Sequence, residues 1–286
     1  MSTIEEKRMY GDQREGTVAY VASERGVATV RVSGDRVGRF GLAHRCEARD
    51  LATVDGAVVV ATAEDVLVGP GEFEPLGLGP AVAVTTLDGD VLAGAPDGTV
   101  SRYADGAWSA VGVVEDVRAL SGEFVAAAGG VFRVGDGLAG VGLADARDVA
   151  ASGTVLAATG DGLYRLGNGW LCEREGTFDV ATTRETGPTG PGRPSANAET
   201  GESAGAVADA HAADGETLYA RTDGWAAVDL PVAESVVDVA YGECVYAVTG
   251  PGTFLVEAAP DRTADGTGGW RSRSLGLPSV SALAVA

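Results

Sequence analysis

The sequence predicts an all-β fold, a seven-bladed β-propeller of four-stranded antiparallel blades, closed by the C-terminal strand joining the N-terminal blade. Three observations lead there. Short apolar runs recur in sets of four at intervals of about 32 to 34 residues along the 286-residue chain. Asp-Gly turns punctuate those runs. No eleven-residue window carries a helical apolar stripe.

The first run of each set is found in RDLATVDG from Arg49, VAVTTLDG from Val82, EDVRALSG from Glu115, RDVAASG from Arg147 and VDVAYG from Val237. The second run is AVVVATA (Ala57–Ala63), DVLAGA, EFVAAAGG, TVLAATG, TLYART or CVYAVTG. A third run follows (DVLVG, TVSRY, GVFRV, GLYRL, TFLVE), and a fourth opens on a large residue in FEPLGL, WSAVGV, WLCERE and WRSRSL. Four strands per repeat make one antiparallel sheet.

Asp-Gly occurs nine times, from Asp55 to Asp265, and Asn168-Gly169 adds another such turn. These dipeptides supply the positive φ angles of two-residue hairpins. Second runs such as AVVVATA are apolar at every position, so both faces of the sheet are covered. Blades packed radially against one another provide that cover. A two-sheet sandwich would show apolar-in, polar-out alternation instead.

The blade count follows from the ends. TVAYVAS, VATVRV and RVGRFGL lack a first strand, and VSALAVA (Val280–Ala286) is a first strand without a blade. Joining them closes the ring and removes a free edge. Seven blades result, with six or eight left open by an irregular sixth repeat. There the segment Arg184–Ala206, RETGPTGPGRPSANAETGESAGA, has the composition of a surface insertion within a single domain spanning 1–286. It separates FDVATT from ADAHAADG. The favoured inner strand is Ala208–Ala213, because ETLYART follows it directly.

Charge restricts the partners. There are 41 acidic and 21 basic side chains, a formal charge of −20, and Lys7 is the only lysine. Such a surface suits high salt, where the Debye length falls to about 3 Å and self-repulsion is screened. With no apolar run of membrane-spanning length, no signal-like start and only Cys46, Cys172 and Cys244, the expectation is a cytoplasmic monomer with no membrane association. No basic stripe or RNP-type motif points to nucleic acid.

The candidate site residues lie at the starts of inner strands. Asp50, Asp116, Asp148, Asp209 and Asp238, with Asp179 as the rival of Asp209, would ring one mouth of the channel. Such a collar either holds a metal ion or a cationic group or caps backbone N–H groups locally. His211, on the favoured sixth inner strand, would line the channel as a base or ligand. His44 and Cys46 lack further metal ligands, Cys172 and Cys244 read as packed small hydrophobes, and the four tryptophans read as blade packing. No GxSxG, P-loop, HExxH or kinase signature is present, so no catalytic residue, metal ligand or cofactor is assigned.

VLAATGDGLYRLGNGWL (Val155–Leu171) and CVYAVTGPGTFLVE resemble the repeats of WD40/YVTN and sialidase-like propellers, without the Gly-His and Trp-Asp marks of true WD40 repeats. The entry segment, EEKRMYGDQREGTVAYVAS through HRCEARDLA, together with the low-lysine acidity, resembles a family of β-propeller proteins of halophilic archaea. That resemblance implies seven blades and a cytoplasmic halophile, and carries no catalytic residues. The functional expectation is a non-enzymatic scaffold binding a protein partner. The alternative is a metal-assisted small-molecule hydrolase, lactonase-like or acting on glycans, with its site at the channel mouth. A factor linked to nucleic acid comes third.

Overall fold

The structure is a computed structural model, and it describes residues 16–54, 56–184, 209–215, 217–258 and 269–286. All its regular elements are strands, and they form seven four-stranded antiparallel sheets. Among the described residues no helix is long and apolar enough to cross a membrane.

Seen from the axis outward, blade 1 is β28 (Val280–Val285), β1 (Thr17–Ser23), β2 (Gly26–Ser33) and β3 (Arg36–His44). Closure is therefore as expected: Val285 pairs with Ala19 and Val280 with Ser23. The inner strands of blades 2 to 7 are β4 (Ala48–Val54), β8 (Ala83–Leu87), β12 (Val117–Ser121), β16 (Ala146–Ala150), β20 (Val180–Thr183) and β24 (Val236–Tyr241). Their outer strands are β7 (Glu74–Pro75), β11 (Ala107–Val113), β15 (Leu138–Gly142), β19 (Trp170–Glu175), β23 (Trp225–Ala227) and β27 (Gly269–Ser274).

Turn chemistry acts as the sequence suggests at Asp88-Gly89 and Asp105-Gly106. Both residues of each pair have positive φ (54° and 88°, 52° and 81°), the geometry of a tight hairpin that matches strand twist.

The core sits in the seams between blades. Among the described residues there are seven apolar clusters, each built from two neighbouring blades. Strand alternation divides each blade between two of them. Val58 and Val60 face blade 1, whereas Val59 and Ala61 face blade 3. This is why the second runs are apolar throughout: Phe124–Ala127, Leu156–Thr159 and Val245–Thr249 are buried at every position.

The sixth blade corrects the sequence reading. Its inner strand is β20, from FDVATT, and Ala210–Asp214 is the second strand, pairing Val180 with Ala213 and Thr183 with Ala210. Among the described residues only three strands lie between Ala208 and β24, namely Ala210–Asp214, Thr217–Arg221 and β23, so a four-stranded blade must recruit its inner strand from before the insertion. The insertion thus joins the first and second strands of blade 6. Its residues 185–206 lie outside the described residues.

Candidate functional site

Five of the seven inner strands, all but β8 and β20, pair with the next strand through a register shift. In β4, β16 and β24 the shift falls between Ala48 and Asp50, Ala146 and Asp148, and Val236 and Asp238. A bulge adds one residue and turns the next side chain to a new direction. Here the redirected side chain is an aspartate facing the channel.

All three aspartates make the same pair of bonds. One oxygen, Oδ1, accepts the backbone N–H of the following residue, at 2.8 Å from Leu51, 2.8 Å from Val149 and 2.7 Å from Val239. The other, Oδ2, accepts an N–H of the next blade's inner strand, at 2.8 Å from Val84, 2.9 Å from Ala181 and 2.7 Å from Leu283. Each carboxyl is a clasp from one blade to the next. The clasps start in blades 2, 5 and 7, steps of three, two and two, which is as even a triad as a seven-membered ring permits.

Their electrostatics oppose ionisation. The three carboxyls are half-buried, seeing only the channel, and protein encloses them otherwise. Backbone N–H donors favour the charged form, but burial outweighs them. Burial raises Asp50 to about 6. It raises Asp148 to about 7, with the negative charge of Asp50 adding to the effect. Asp238 is pushed well above the ordinary carboxyl range, by burial first and then by Asp148 and Asp50.

Arginines flank the triad at one mouth. Arg49, Arg118 and Arg147 are the bulge residues of their strands, and all three line the channel cavity of about 410 Å³. Across blades 4 to 6 they form an alternating chain. Arg118 bonds Asp116 (2.9 Å) and Asp145 (2.6 Å), and Arg147 forms an ion pair with Asp145 (3.6 Å) and bonds Asp179 (2.6 Å). Arg49 meets Glu47 of its own turn at 3.2 Å. At the far end of the same strands hydroxyls take over the stitching. Thr85, Ser121 and Thr183 accept N–H bonds from Gly122, Ala151 and Gly153 of adjacent blades.

The structure therefore assembles Asp50, Asp148 and Asp238 and leaves out the other three candidates. Asp116 precedes its bulge, is exposed and pairs with Arg118; Ala119 fills the slot instead. Counting from the hairpin turn misplaces it, because the inner hairpin of blade 4 is two residues shorter between bulge and turn than that of blade 2. The recurring Arg-Asp-Leu, Arg-Ala-Leu and Arg-Asp-Val tripeptides at Arg49, Arg118 and Arg147 hold the correct register. Asp209 opens the second strand of blade 6 and pairs with Arg221 at 3.0 Å. The position at the channel belongs to Asp179.

His211 also lies off the channel, 1% exposed in the seam between blades 6 and 7. Its Nδ1 is 2.8 Å from the hydroxyl of Tyr241, and Trp270 meets it edge-on at 6.4 Å between ring centres. Burial depresses its pKa to about 4, with Arg184 contributing, so the ring is neutral. Among the described residues no group of three or more His, Cys, Asp or Glu side chains could hold a metal ion. His44 packs on Phe73, and Cys172, read as a packed hydrophobe, is exposed on β19.

The outer rim has its own clasps. The indole N–H of Trp108 donates to Leu76 O (3.0 Å), that of Trp170 to Val141 O (2.9 Å) and that of Trp225 to Glu173 Oε2 (3.3 Å), each on the preceding blade. The sequence marks these tryptophans as packing residues; the added N–H bond is the part it does not display.

Comparison with known proteins agrees with the architecture. Similar solved structures include the WD40 β-propeller domain of Doa1 (16% identity, TM-score 0.54, covering 82% of this chain and 86% of that one). The computationally designed Ika8 protein is similar at 16% identity and TM-score 0.55, over 95% and 91% of the two chains. Apo AztD from Citrobacter koseri is similar at 10% identity and TM-score 0.51, over 92% and 83%. At these identities they show the fold alone. No curated protein matches the chain. The family described as HVO_0234-like, beta propeller matches residues 3–286, and the chain belongs to it.

Proposed function

We propose that the protein is a non-enzymatic scaffold that binds a protein partner through its rim or loops, and that it works in the cytoplasm of a cell rich in salt. The observation that carries this reading is the use made of the channel carboxyls. All six oxygens of Asp50, Asp148 and Asp238 accept backbone N–H groups, and three of those bonds join one blade to the next. The chemistry concentrated at the axis serves the ring itself. A rigid ring with its polar centre so engaged offers strand edges and loops as contact surface.

The hydrolase alternative needed His211 beside an acidic collar. With His211 sealed in a seam and bonded to Tyr241, that constellation is not formed, and no observation favours it. The scaffold reading is tested by affinity purification at molar salt from the cells that make the protein. A partner recovered in stoichiometric amount is the expected outcome; recovery of the chain alone overturns the reading.

A further inference from the structure

Every blade of an open propeller ends in a strand with one unpaired edge, and an unprotected edge invites another strand. Five of the seven outer strands here are protected. β3 carries Arg36 and Arg39, β19 carries Glu173 to Glu175, and β27 carries Arg271 and Arg273. β7 is two residues long and includes Pro75, and β23 is three residues long.

β11 (AWSAVGV) and β15 (LAGVG), on the adjacent blades 3 and 4, have no charged residue and no proline. That is unexpected in a chain of charge −20. β11 is seven residues long, Ala110 on it is exposed, and Val113 is 69% exposed. The seam below it has neither kind of clasp. No aspartate on β8 reaches across it, and β15 opens on Leu138 where β11, β19, β23 and β27 carry tryptophan. Leu138 lies so close to Gly112 of β11 that a Cβ there would sit 3.0 Å from it. Beside the seam a shallow hollow of about 630 Å³ is lined by Val134, Asp136, Leu138 and Ala139.

The surroundings specify the partner's charge. Exposed Asp105 precedes β11, exposed Glu115 follows it, and exposed Asp136 precedes β15. Among the described residues none of these three enters an ion pair, whereas the nearby Arg133 and Arg118 are engaged by Glu123 and by Asp116 and Asp145. An uncharged edge between unpaired acids complements a strand that is apolar in the middle and basic at its ends.

We propose that the edge of β11 left unpaired among the described residues takes up an extended segment of the protein partner as a fifth strand of blade 3, the segment carrying alternating apolar residues flanked by Lys or Arg. This deepens the scaffold reading and rests on it. A second copy of the chain fits less well, because antiparallel pairing of two β11 strands sets Asp105 and Glu115 of one chain against those of the other. Main-chain hydrogen bonds would provide the affinity, and the flanking charges the selectivity.

The test uses two fluorescein-labelled peptides and the full chain, at low and at molar salt. One peptide is Lys-Thr-Val-Thr-Val-Thr-Lys and the other has Glu at both ends. Fluorescence anisotropy should show the Lys-flanked peptide binding at least tenfold more tightly at low salt, with the preference shrinking at molar salt. Amide exchange should slow across Ala107–Val113 when it binds. The double variant Ala110→Lys, Val113→Lys places charge at exposed positions, so its unfolding midpoint should match the wild type while peptide affinity falls at least tenfold.

Equal binding of both peptides, slowed exchange elsewhere, or undiminished binding by the variant overturns the inference. So does a wild-type dimer that the double substitution dissociates, which would assign the edge to a second copy. The scaffold reading is separable. If wild type and variant recover the same stoichiometric protein from cells, the scaffold stands and the edge assignment falls. Loss of that protein from the variant alone supports both, and recovery of none from either overturns both.

Discussion

The inner and outer rims of this propeller lock seams with opposite devices, and both act on the seams between blades 2 and 3 and blades 5 and 6. At the axis an aspartate reaches forward to a backbone N–H of the following blade; at the periphery a tryptophan reaches back, in two of three cases to a backbone carbonyl of the preceding one. The difference follows from space and water. Inner strands converge on a narrow polar channel, where a short acceptor fits and a large ring does not. Outer strands diverge, and an indole fills the widening gap while its N–H finds an acceptor. Polar clasping is thus placed where apolar packing is thinnest, and it leaves the inner rim sensitive to pH, whereas the two outer clasps on backbone carbonyls are indifferent to it.

The largest effect expected is from Asp238→Ala. It deprives both Val239 and Leu283 of an N–H acceptor, at the seam where the C-terminal strand closes the ring. Leaving buried donors unpaired costs about 1–3 kcal/mol each, so urea unfolding at pH 6 should show a loss on the order of 3 kcal/mol. At pH 8 the loss should be smaller, because the variant also removes a carboxyl that resists ionisation there.

The pH dependence of the wild type comes next. A carboxyl whose folded pKa lies above its unfolded value stabilises the fold most below that unfolded value, and the contribution is lost as pH rises through the folded pKa. For Asp50 and Asp148 the window runs from about 4 up to about 6 and 7. Each unit is about 1.4 kcal/mol, and channel water reduces the total, so the contribution of these two carboxyls should fall by on the order of 3 kcal/mol between pH 5 and pH 8, and above pH 6.5 net stability should fall with it. His211 acts in the other direction. Its depressed pKa makes its contribution full above 6.5 and progressively lost towards 4. The combined variant Asp50→Asn, Asp148→Asn should flatten the alkaline limb of the profile, and His211→Gln the acid limb. A wild type whose stability rises steadily from pH 5 to pH 8 would break the contrast between the rims.

Trp170→Phe tests the outer rim alone. It keeps a ring but removes the donor to Val141 O, for an expected cost of about 1 kcal/mol that does not vary with pH. Smallest is Arg118→Gln at the channel mouth. Its partners Asp116 and Asp145 are largely open to solvent, so about 0.5 kcal/mol at low salt should vanish at molar salt in a thermal melt.

Legibility followed repetition. Four strands per blade, seven blades and the closure of Val280–Ala286 on Thr17–Ser23 were readable, since each signal recurs and local periodicity carries it. Asp50, Asp148 and Asp238 were readable for the same reason. Asp116 shares with them only its place near the start of an inner strand; it lies before the bulge rather than after it, and a bulge is a single-residue shift that composition does not mark. Asp209 and His211 were misread because an insertion severs β20 from the rest of its blade, and proximity along the chain favoured the wrong strand. The pairing of His211 with Tyr241 occurs once in the ring. A contact between residues thirty apart that never recurs leaves no pattern to detect.

The seven shared clusters have a further consequence. Because every cluster belongs to two blades, the first blade to peel from the circle must tear two of them open, while each blade after it tears only one. The difficult step therefore comes at the outset, and heat or denaturant should melt the molecule in a single sharp transition. An open-ended array of the same units would instead fray gradually from its tips.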